Sequence, residues 1–272
     1  MMRYRSFLFV PGHRSDMFDK ACTSGADLVC IDLEDAVGED FKDEARAATL
    51  DWLARTSHVH VSLRINGLDT VHSIADIEAL LGLEKALPFV MVPKVHDVSS
   101  IETLAKALPE KLGPFMPIVE SAQGALHCAS IFAHPRVRLA VFGAFDFMAD
   151  MDCSGEWESL LYARSQLCLA ARAHDVHLFD VPHVDVKDHA GCETVARRVK
   201  ALGFPAKAAI HPAQIAVIHN VFNPTEAEIL EAERIIAALD AAQGNVCVLD
   251  GKLVEPPMVK KAQRVLALKD MM

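Results

Sequence analysis

The sequence predicts a closed (β/α)₈ TIM barrel with a C-terminal helical and hairpin extension. Eight apolar runs, each followed by a helical pattern, recur at an average spacing of about 29 residues, the length of one strand-plus-helix unit. The 272-residue chain is 51% hydrophobic but only 6% aromatic, and a core of small aliphatic side chains suits a parallel sheet covered by helices. An open doubly wound sheet is the alternative. Such a sheet normally carries a glycine-rich phosphate loop after a strand, and the sequence has no G-x-G-x-x-G motif.

The ends of the eight apolar runs mark the expected strand ends, where the chemistry of a barrel of this kind is found. They are Gly12, Glu34, Asn66, Lys94, Ser121, Asp146, Pro182 and Pro212. Between them, helices are predicted over residues 16–24, 40–55, 74–83, 98–108, 158–174 and 188–202.

After the eighth unit the pattern changes, so we divide the chain into a catalytic barrel over residues 1–222 and an extension over residues 223–272. Thr225 and Glu228 match a capping box that starts a helix to about residue 242. Asp250-Gly251 centres a tight hairpin, and Pro257 begins a last helix to residue 268. A barrel does not need this segment, so it is expected to act as a lid or subunit contact within the same structural unit.

Composition excludes several classes of function. The formal net charge of −10 argues against a nucleic-acid surface, which needs clustered lysine and arginine. No run approaches the roughly 20 apolar residues of a membrane span, and the apolar run near residue 8 is too short for a signal-peptide core. Seven scattered cysteines without a C-x-x-C motif indicate reduced thiols. We therefore expect a cytoplasmic protein that binds neither nucleic acid nor membranes.

Glu120 and Asp146 are the strongest candidates for a metal site. Each closes a short apolar run, and they are about one strand–helix–strand repeat apart, so both carboxylates are expected at the same end of neighbouring parallel strands. Unpaired, they would repel and one would keep its proton, whereas a divalent cation removes that cost. Mg²⁺ favours sites with one or two carboxylates and room for water and substrate. The pair predicts a Mg²⁺-dependent enzyme acting on an oxygen-rich small acid.

Arg64 lies in the third run, two residues before Asn66, and is the main candidate for binding a substrate anion. A buried arginine at a strand end needs an anion, and its planar fork suits a carboxylate. An internal salt bridge with Asp32 or Glu34 is the alternative. Glu34 lies near the metal if its face of the strand points into the barrel mouth, while Asp35 either joins it or begins the next turn.

Other charged residues lie close to strand ends. Lys94 ends the fourth run and His211 the eighth. A lone histidine is more often structural than catalytic, so His211 is a weaker candidate for a functional residue. Arg14 and Lys20 follow the first strand near a helix start, where anions are favoured; solvated surface charge is the alternative for Lys20. The sequence has no H-E-x-x-H, G-x-S-x-G, P-loop or zinc-spaced cysteine set.

Eight short segments also match a known family. They are FVPGHR at 9–14, DLEDAV at 32–37, RIN at 64–66, PK at 93–94, PIVES at 117–121, GAFD at 143–146, IHPAQI at 210–215 and LDGK at 249–252. In this order, over nearly the whole chain, they resemble the citrate lyase β-subunit group of the HpcH/HpaI aldolase superfamily. The resemblance implies a TIM barrel, commonly a homotrimer or hexamer, that uses Mg²⁺ to cleave or form the C–C bond of citryl, citramalyl or malyl thioesters.

The resemblance also implies roles for the acidic residues and Arg64. Glu120 and Asp146 would be the metal ligands, and Glu34 and Asp35 would hold metal-bound waters. Arg64 would grip the carboxylate and carbonyl of the oxo acid.

Further residues are assigned to the thioester carrier, which is CoA or acyl-carrier protein. Arg14 and Lys20 would face its phosphates, and we count Lys94 with them as a substrate- or carrier-binding residue. Asp250 would enter a neighbouring subunit's active site and protonate the thioester enolate.

Three positions depart from the family pattern. Relatives usually have asparagine where this chain has Phe145, proline where it has Ser15, and Asp-Gly where it has Pro205-Ala206. Phe145 is therefore expected to bear on acyl specificity, and the change at residues 205–206 on carrier binding.

Together these observations predict a retro-Claisen lyase that splits a 3-hydroxyacyl thioester into an oxo acid and an acetyl thioester. A metal aldolase acting on free 2-oxo acids is one alternative. A non-catalytic thioester-binding subunit is the other.

Overall fold

The computed structural model describes residues 4–243 and 245–269 and contains a closed barrel of eight parallel strands. The strands are β1 (Ser6–Pro11), β2 (Leu28–Asp32), β3 (Val61–Arg64), β4 (Val90–Val92), β5 (Phe115–Val119), β6 (Leu139–Phe142), β7 (His177–Asp180) and β8 (Ala206–Ala209). Each strand pairs with its neighbours in chain order, and β8 closes the barrel by pairing with β1, where Phe7 lies opposite Ala208. The predicted (β/α)₈ TIM barrel is confirmed, and the open sheet is excluded.

Helices fill the connections between strands. They are α1 (Phe18–Cys22), α2 (Lys42–Arg55), α3 (Val71–Leu81), α4 (Val98–Ala107), α5 (Ala122–Phe132), α6 (Ala144–Met151), α7 (Trp157–Ala173), α8 (His189–Leu202) and α9 (Ala213–Phe222). All six helices predicted from the sequence are present, with shifted ends, and α5, α6 and α9 were not predicted. For α6 the reason is that only Gly143 separates it from β6, so the apolar run continues from strand into helix without a polar break.

The barrel interior is a tightly packed aliphatic and aromatic core. Every residue of β2 to β8 is buried, because one face of each strand points inward and the other packs against helices. Phe7 and Phe179 meet edge to face with ring centroids 5.0 Å apart, and Met91, Met116 and Ile118 belong to the same buried cluster. This core sets the strand ends rigidly at the carboxyl side of the barrel.

A buried charge network braces the last two strands. Lys207 on β8 donates from Nζ to Asp180 Oδ2 at 2.7 Å, and Arg164 on α7 donates from Nε to Asp180 Oδ1 at 2.9 Å. Burial alone would raise the pKa of Asp180, but the two cations hold it below its usual range. Lys207, which follows the unusual Pro205-Ala206 pair, therefore has a structural partner inside the barrel wall.

His177 on β7 is buried, and we expect it to make the fold acid-sensitive. Its Nε2 donates to the Tyr4 carbonyl at 2.7 Å, and burial lowers its pKa from 6.5 to about 4. Because the folded protein favours the neutral ring, this contribution is complete above pH 6.5 and is lost as the pH falls towards 4. Over that window we expect about 3 kcal/mol of unfolding free energy to disappear.

Chemical denaturation at several pH values measures this effect. His177→Gln keeps a hydrogen-bond donor but cannot take up a proton, so its unfolding free energy should fall less steeply between pH 6.5 and 4. His13→Gln, at an exposed position, serves as the control and should follow the wild-type curve. Equal slopes for wild type and His177→Gln would show that another group is responsible.

The chain forms two compact units, Met1–His219 and Asn220–Met272. Within the second unit lie α10 (Glu226–Ala241), the hairpin strands β9 (Cys247–Leu249) and β10 (Lys252–Val254), and α11 (Pro256–Lys269). The predicted capping box is present, since Thr225 Oγ1 accepts from Glu228 N–H at 3.2 Å and Thr225 N–H donates to Glu228 Oε2 at 2.8 Å. The predicted hairpin is also present, with φ of +50° at Asp250 and +76° at Gly251.

This second unit has its own small core around Ala232, Ile235, Val254 and Ala262. Across residues 4–243 and 245–269, no helix combines the length and the apolar character that crossing a bilayer requires.

Candidate active site

Glu120 directly follows β5 and is held in place by the backbone of the neighbouring strand end. Its Oε1 accepts the Lys94 backbone N–H at 2.5 Å. Lys94 adopts the left-handed region with φ of +54°, which costs a residue other than glycine on the order of 1 kcal/mol. The side chain of Glu120 is buried. A strained main-chain donor aimed at a buried carboxylate is typical of a pre-organised functional site.

Gly143, between β6 and α6, allows the backbone to approach Glu120 closely. A Cβ atom at this position would lie 2.6 Å from both the Cβ and the Oε2 of Glu120 and 2.8 Å from Ile118. No side chain fits there without moving the carboxylate. The glycine therefore fixes where the second oxygen of Glu120 can lie.

We expect Gly143→Ala to displace Glu120 and to weaken divalent-cation binding about tenfold or more, the usual effect of disturbing a residue that supports a metal ligand. Calorimetric titration with MgCl₂ measures the affinity. The matched control is Gly38→Ala, because a Cβ there would meet only the Phe41 ring, at an ordinary contact distance of 3.7 Å, among the described residues. Unchanged Mg²⁺ affinity in Gly143→Ala would rule out the proposed positioning.

Asp146 lies in the first turn of α6 rather than at the end of a strand. The apolar run predicted to end at Asp146 ends as a strand at Phe142, because Gly143 turns the chain directly into the helix. Since β5 and β6 are paired, with Val119 opposite Phe142, the first turn of α6 still lies beside the end of β5. Asp146 is exposed and lines the same cavity as Glu120.

The two carboxylates influence each other through space. Burial raises the pKa of Glu120 to about 8; the charges of Glu34 and Asp146 add to this effect, while the Lys94 N–H and Arg64 oppose it. Glu120 therefore tends to hold a proton at neutral pH unless a cation compensates its charge. This is the behaviour expected for acidic groups that share a cation site.

Arg64 forms a fork with Asp32. Its Nε donates to Asp32 Oδ1 at 2.7 Å and its Nη2 to Oδ2 at 2.5 Å. The Nη1 atom lies 2.9 Å from Glu34 Oε2 and 3.3 Å from Asp35 Oδ2. The internal salt bridge considered from the sequence is thus present. It does not remove Arg64 from the site, because Arg64 also lines the cavity and a guanidinium has five N–H donors.

Glu34 is a buried carboxylate whose hydrogen-bonding capacity is not used by the protein. Lys94 Nζ lies 3.1 Å from Oε1 and Arg64 Nη1 lies 2.9 Å from Oε2, but neither oxygen makes a well-aligned hydrogen bond to a described residue. Burial raises the pKa of Glu34 to about 7 in spite of these two cations. Two such oxygens can accept hydrogen bonds from water or from a substrate hydroxyl, which fits a position beside a hydrated cation.

Arg64, Glu120 and Asp146 line an open cavity of about 400 Å³ at the carboxyl ends of the strands, whereas Glu34 is not part of its lining. One side is polar and carries Asp32, Asp35, Arg64, Glu120 and Asp146. The remaining lining is almost entirely apolar and comprises Phe9, Pro11, Ala36, Ile118, Val141, Phe142, Gly143, Phe145, Val181, Pro182, Val184 and Ile210. Phe145, which departs from the family pattern, thus lies in the cavity next to Asp146.

The other predicted residues lie outside this lining. Lys94 contacts Glu34 but its ammonium is half-exposed. Arg14 is exposed and makes a fork with Asp16 through two contacts of 2.8 Å, and Lys20 is exposed on α1. His211 is exposed after β8, where its Nδ1 accepts the Ala213 N–H at 3.2 Å.

Asp250 lies in the second unit, at the turn between β9 and β10. Both of its carboxylate oxygens accept from Arg234 Nη2 at 2.7 Å. The carboxylate is exposed, so it remains accessible from solvent.

Lys42 is a supporting residue that the sequence did not reveal. Its Nζ donates to the carbonyls of Leu33 at 2.9 Å and Glu34 at 2.7 Å, and to Asn66 Oδ1 at 2.7 Å. The ammonium thereby fixes the segment that carries Glu34. A lysine in the first turn of a helix normally faces solvent, so nothing in the sequence indicated this role.

Comparison with known proteins extends these observations. A family model described as HpcH/HpaI aldolase/citrate lyase matches residues 5–212. A (3S)-malyl-CoA thioesterase of Cereibacter sphaeroides is 36% identical over 271 residues, covering 97% of this chain and 94% of the relative. An L-malyl-CoA/beta-methylmalyl-CoA lyase of the same species is 34% identical over 307 residues, covering 98% and 95%.

Solved structures show the same similarity. The protein CitE from Mycobacterium tuberculosis, in complex with magnesium, acetoacetate and coenzyme A, is 30% identical with a TM-score of 0.85 and 98% coverage of both chains. RipC from Yersinia pestis is 36% identical with a TM-score of 0.73, covering 83% of this chain and 98% of that one.

Proposed function

Because the chain belongs to the HpcH/HpaI aldolase/citrate lyase family and is a carbon–carbon lyase, we propose that it cleaves or forms a 3-hydroxyacyl thioester with the help of Mg²⁺. The products of cleavage are an oxo acid and an acetyl thioester. The observation that carries the proposal is the convergence of Glu120, Asp146 and Arg64 on one cavity. Relatives that act on malyl-CoA and a neighbour that holds coenzyme A favour CoA over acyl-carrier protein as the carrier.

Glu120 and Asp146 would hold the metal, and the all-oxygen donor set suits Mg²⁺. When bound, the ion would supply Lewis-acid polarisation of the substrate oxygens. Glu34, with its unused oxygens, and Asp35 would accept hydrogen bonds from water beside the ion. The CitE neighbour in complex with magnesium, acetoacetate and coenzyme A supports the choice of Mg²⁺ as the ion.

Arg64 would donate hydrogen bonds to the carboxylate and to the carbonyl oxygen that forms during cleavage. Asp32 orients the guanidinium by its fork, so the donors are in place before charge develops. Preorganised donors of this kind lower a barrier by about 3 kcal/mol.

The electron balance of the proposed step is that of a retro-Claisen reaction. A base, for which the cavity offers carboxylates, takes the proton of the 3-hydroxyl, and the C–O bond becomes the carbonyl of the oxo acid. The C–C bond breaks, and its electron pair passes to the thioester fragment as an enolate. We assign Asp250 of a neighbouring subunit as the acid that protonates this enolate. This role requires a homo-oligomer, which we propose is a trimer or hexamer in which the second unit acts as a lid or subunit contact.

Arg14, Lys20 and Lys94 would contact the carrier or substrate as further cations. Arg14 and Lys20 are exposed near the end of β1, where a large phosphate-bearing carrier could reach them. We also place the enzyme in the cytoplasm, since all seven of its cysteines are free and reduced thiols are typical of that compartment.

Incubation of the purified protein with malyl-, citramalyl- and citryl-CoA in the presence of MgCl₂ tests the proposal. Release of an oxo acid together with acetyl-CoA from at least one substrate is expected, and EDTA should abolish it. Release of no oxo acid from any of the three would contradict the proposal.

Thioester hydrolysis is the second candidate function, because (3S)-malyl-CoA thioesterases are among the most similar relatives. Product analysis in the same assay separates the two reactions. Hydrolysis gives free CoA and an intact hydroxy acid, whereas lyase chemistry gives acetyl-CoA and the shorter oxo acid. The lyases among the relatives favour an enzyme over the non-catalytic subunit considered from the sequence.

Asp250 distinguishes thioester cleavage from an aldolase reaction on free 2-oxo acids. We expect Asp250→Asn to reduce oxo-acid release from the thioester about a hundredfold, since losing a positioned general acid costs 10²–10⁴ in rate. Aldol cleavage of free 2-oxo acids should be unchanged. Asp240→Asn, at an exposed position on α10, is the control. Full thioester cleavage by Asp250→Asn would remove this residue from the mechanism.

A further inference from the structure

A cluster of one cysteine and two histidines lies at the end of the barrel away from the cavity. Cys22 ends α1, ahead of β2, and His58 and His60 lie in the segment that leads into β3. These connections are at the amino-terminal ends of the strands, whereas catalysis in this fold takes place at the carboxyl ends. The cluster is therefore separate from Glu120 and Asp146.

The ligand atoms of these three side chains converge. One sulfur and one ring nitrogen from each histidine all lie within 4.8 Å of one another. Tetrahedral Zn²⁺ with bonds of about 2.0–2.3 Å requires separations of roughly 3.3–3.6 Å between ligand atoms. Side-chain rotations that move the ligand atoms by about 1 Å would bring them to the separations that Zn²⁺ requires. Among the described residues, this is the one group of three or more cysteine, histidine or acidic side chains that meets so closely.

The surroundings hold the two histidines in place. The ring of His58 stacks on Trp52, with centroids 6.3 Å apart and planes 18° from parallel, and meets His60 edge to face at 5.5 Å. Lys85 Nζ donates to the carbonyls of Thr56 at 2.9 Å and His58 at 2.7 Å, which fixes the segment that carries both rings. All three ligand residues are half-buried, so an ion can reach them.

Burial and nearby charges affect both a histidine and the cysteine of the cluster. Burial and, to a smaller extent, His58 lower the pKa of His60, while contact with the Cys22 backbone opposes them. Metal-ligating histidines are commonly oriented by a hydrogen-bond partner of this kind. Burial, with a smaller contribution from Asp19, raises the pKa of the Cys22 thiol to about 11, while Lys85 opposes them. Cys22 is therefore a neutral thiol at pH 7, and the incoming ion would have to displace its proton.

We propose that Cys22, His58 and His60 bind one Zn²⁺ ion, with water in the fourth position, at the amino-terminal end of the barrel. Sulfur and imidazole ligands select Zn²⁺ and similar metals and reject Mg²⁺, which prefers oxygen. The ion would tie the end of α1 to the start of β3. Because it binds the folded chain and not the unfolded one, it would raise the thermal transition.

Titration of the metal-free protein with Co²⁺, in excess MgCl₂ to fill the carboxylate site, tests the proposal. One Co²⁺ per chain should give a thiolate-to-cobalt charge-transfer band and intense tetrahedral d–d bands, and Zn²⁺ should displace it. Cys22→Ser should abolish the charge-transfer band, and His58→Ala and His60→Ala should each weaken binding about tenfold or more. ZnCl₂, added to protein already in excess MgCl₂, should further raise the unfolding temperature of the wild type.

Matched controls separate this site from other thiols and imidazoles. Cys153→Ser changes another half-buried free cysteine, and His127→Ala changes an exposed histidine outside the cluster; both should bind Co²⁺ as the wild type does. Circular dichroism checks the fold of each variant. If Cys22→Ser fails to fold, the wild-type charge-transfer band and the Co²⁺ affinities of His58→Ala and His60→Ala test the proposal instead. Absence of the charge-transfer band in the wild type, or its survival in folded Cys22→Ser, would overturn the proposal.

Discussion

Glu120→Gln should reduce Mg²⁺-dependent turnover about a thousandfold or more. The amide keeps the size of the side chain but removes one of the two carboxylates assigned to the cation. Lewis-acid stabilisation lowers the barrier of such a reaction by several kcal/mol. A loss of about 4 kcal/mol corresponds to a thousandfold lower rate. Measurement of kcat/KM for oxo-acid release across a range of MgCl₂ concentrations gives the effect.

The same substitution should leave the fold intact. Burial raises the pKa of Glu120 to about 8, so the folded state disfavours the charged form, and a neutral amide removes that penalty at pH 7. We expect the unfolding free energy of Glu120→Gln in EDTA to equal or exceed that of the wild type. Glu110→Gln, at an exposed position before β5, is the control. Near-normal turnover by a folded Glu120→Gln protein would remove Glu120 from the metal site.

Arg64→Lys should lower turnover about a hundredfold and also destabilise the protein. Lysine keeps the charge but cannot form the fork with Asp32 that the Nε and Nη2 atoms make at 2.7 and 2.5 Å, and the two cations are not interchangeable at such sites. Loss of a preorganised donor accounts for about 3 kcal/mol of barrier. Arg64→Ala would be less informative, because leaving buried Asp32 and Glu34 without their partner costs about 3–5 kcal/mol of stability.

Arg46→Lys is the matched control for this variant. Arg46 forms a comparable buried pair with Asp76, with Nε 2.6 Å from Oδ1, but it is not part of the cavity lining. Arg46→Lys should therefore lower the unfolding free energy, while the folded protein keeps the turnover of the wild type. Steady-state kinetics together with urea denaturation separates the two effects. A folded Arg64→Lys enzyme with wild-type kcat would rule out the donor role of Arg64.

The fold could be predicted because strand and helix periods alternate at a nearly constant interval. A single residue explains why the position of Asp146 was predicted wrongly. Gly143 joins β6 to α6 without a polar break, so the sequence pattern placed Asp146 at a strand end instead of in the first turn of a helix. The convergence of Glu120 and Asp146 on one cavity could still be predicted, because it depends on β5 and β6 being neighbours. Moving the end of β6 from Asp146 to Phe142 does not change that.

The contacts within the site could be predicted less well. Arg64 has acidic candidates on adjacent positions of β2 and the turn that follows, and periodicity alone cannot say which carboxylate the guanidinium reaches. Lys42 approaches from α2, and its role depends on packing between elements. Cys22 and His58 are far apart in sequence and meet only because consecutive connections converge at one end of the barrel.

The acidic residues that line the cavity bear on the order in which the cation and the substrate bind. Four carboxylates line the cavity with a single guanidinium, which is already engaged by Asp32, so an anionic thioester approaching the empty site meets a repulsive potential. A doubly charged ion bound there would offset most of this negative charge and would itself attract the anionic oxygens of the substrate. On the proposed function, the ion would therefore affect substrate entry as well as chemistry, and we expect compulsory-order kinetics, metal first and thioester second.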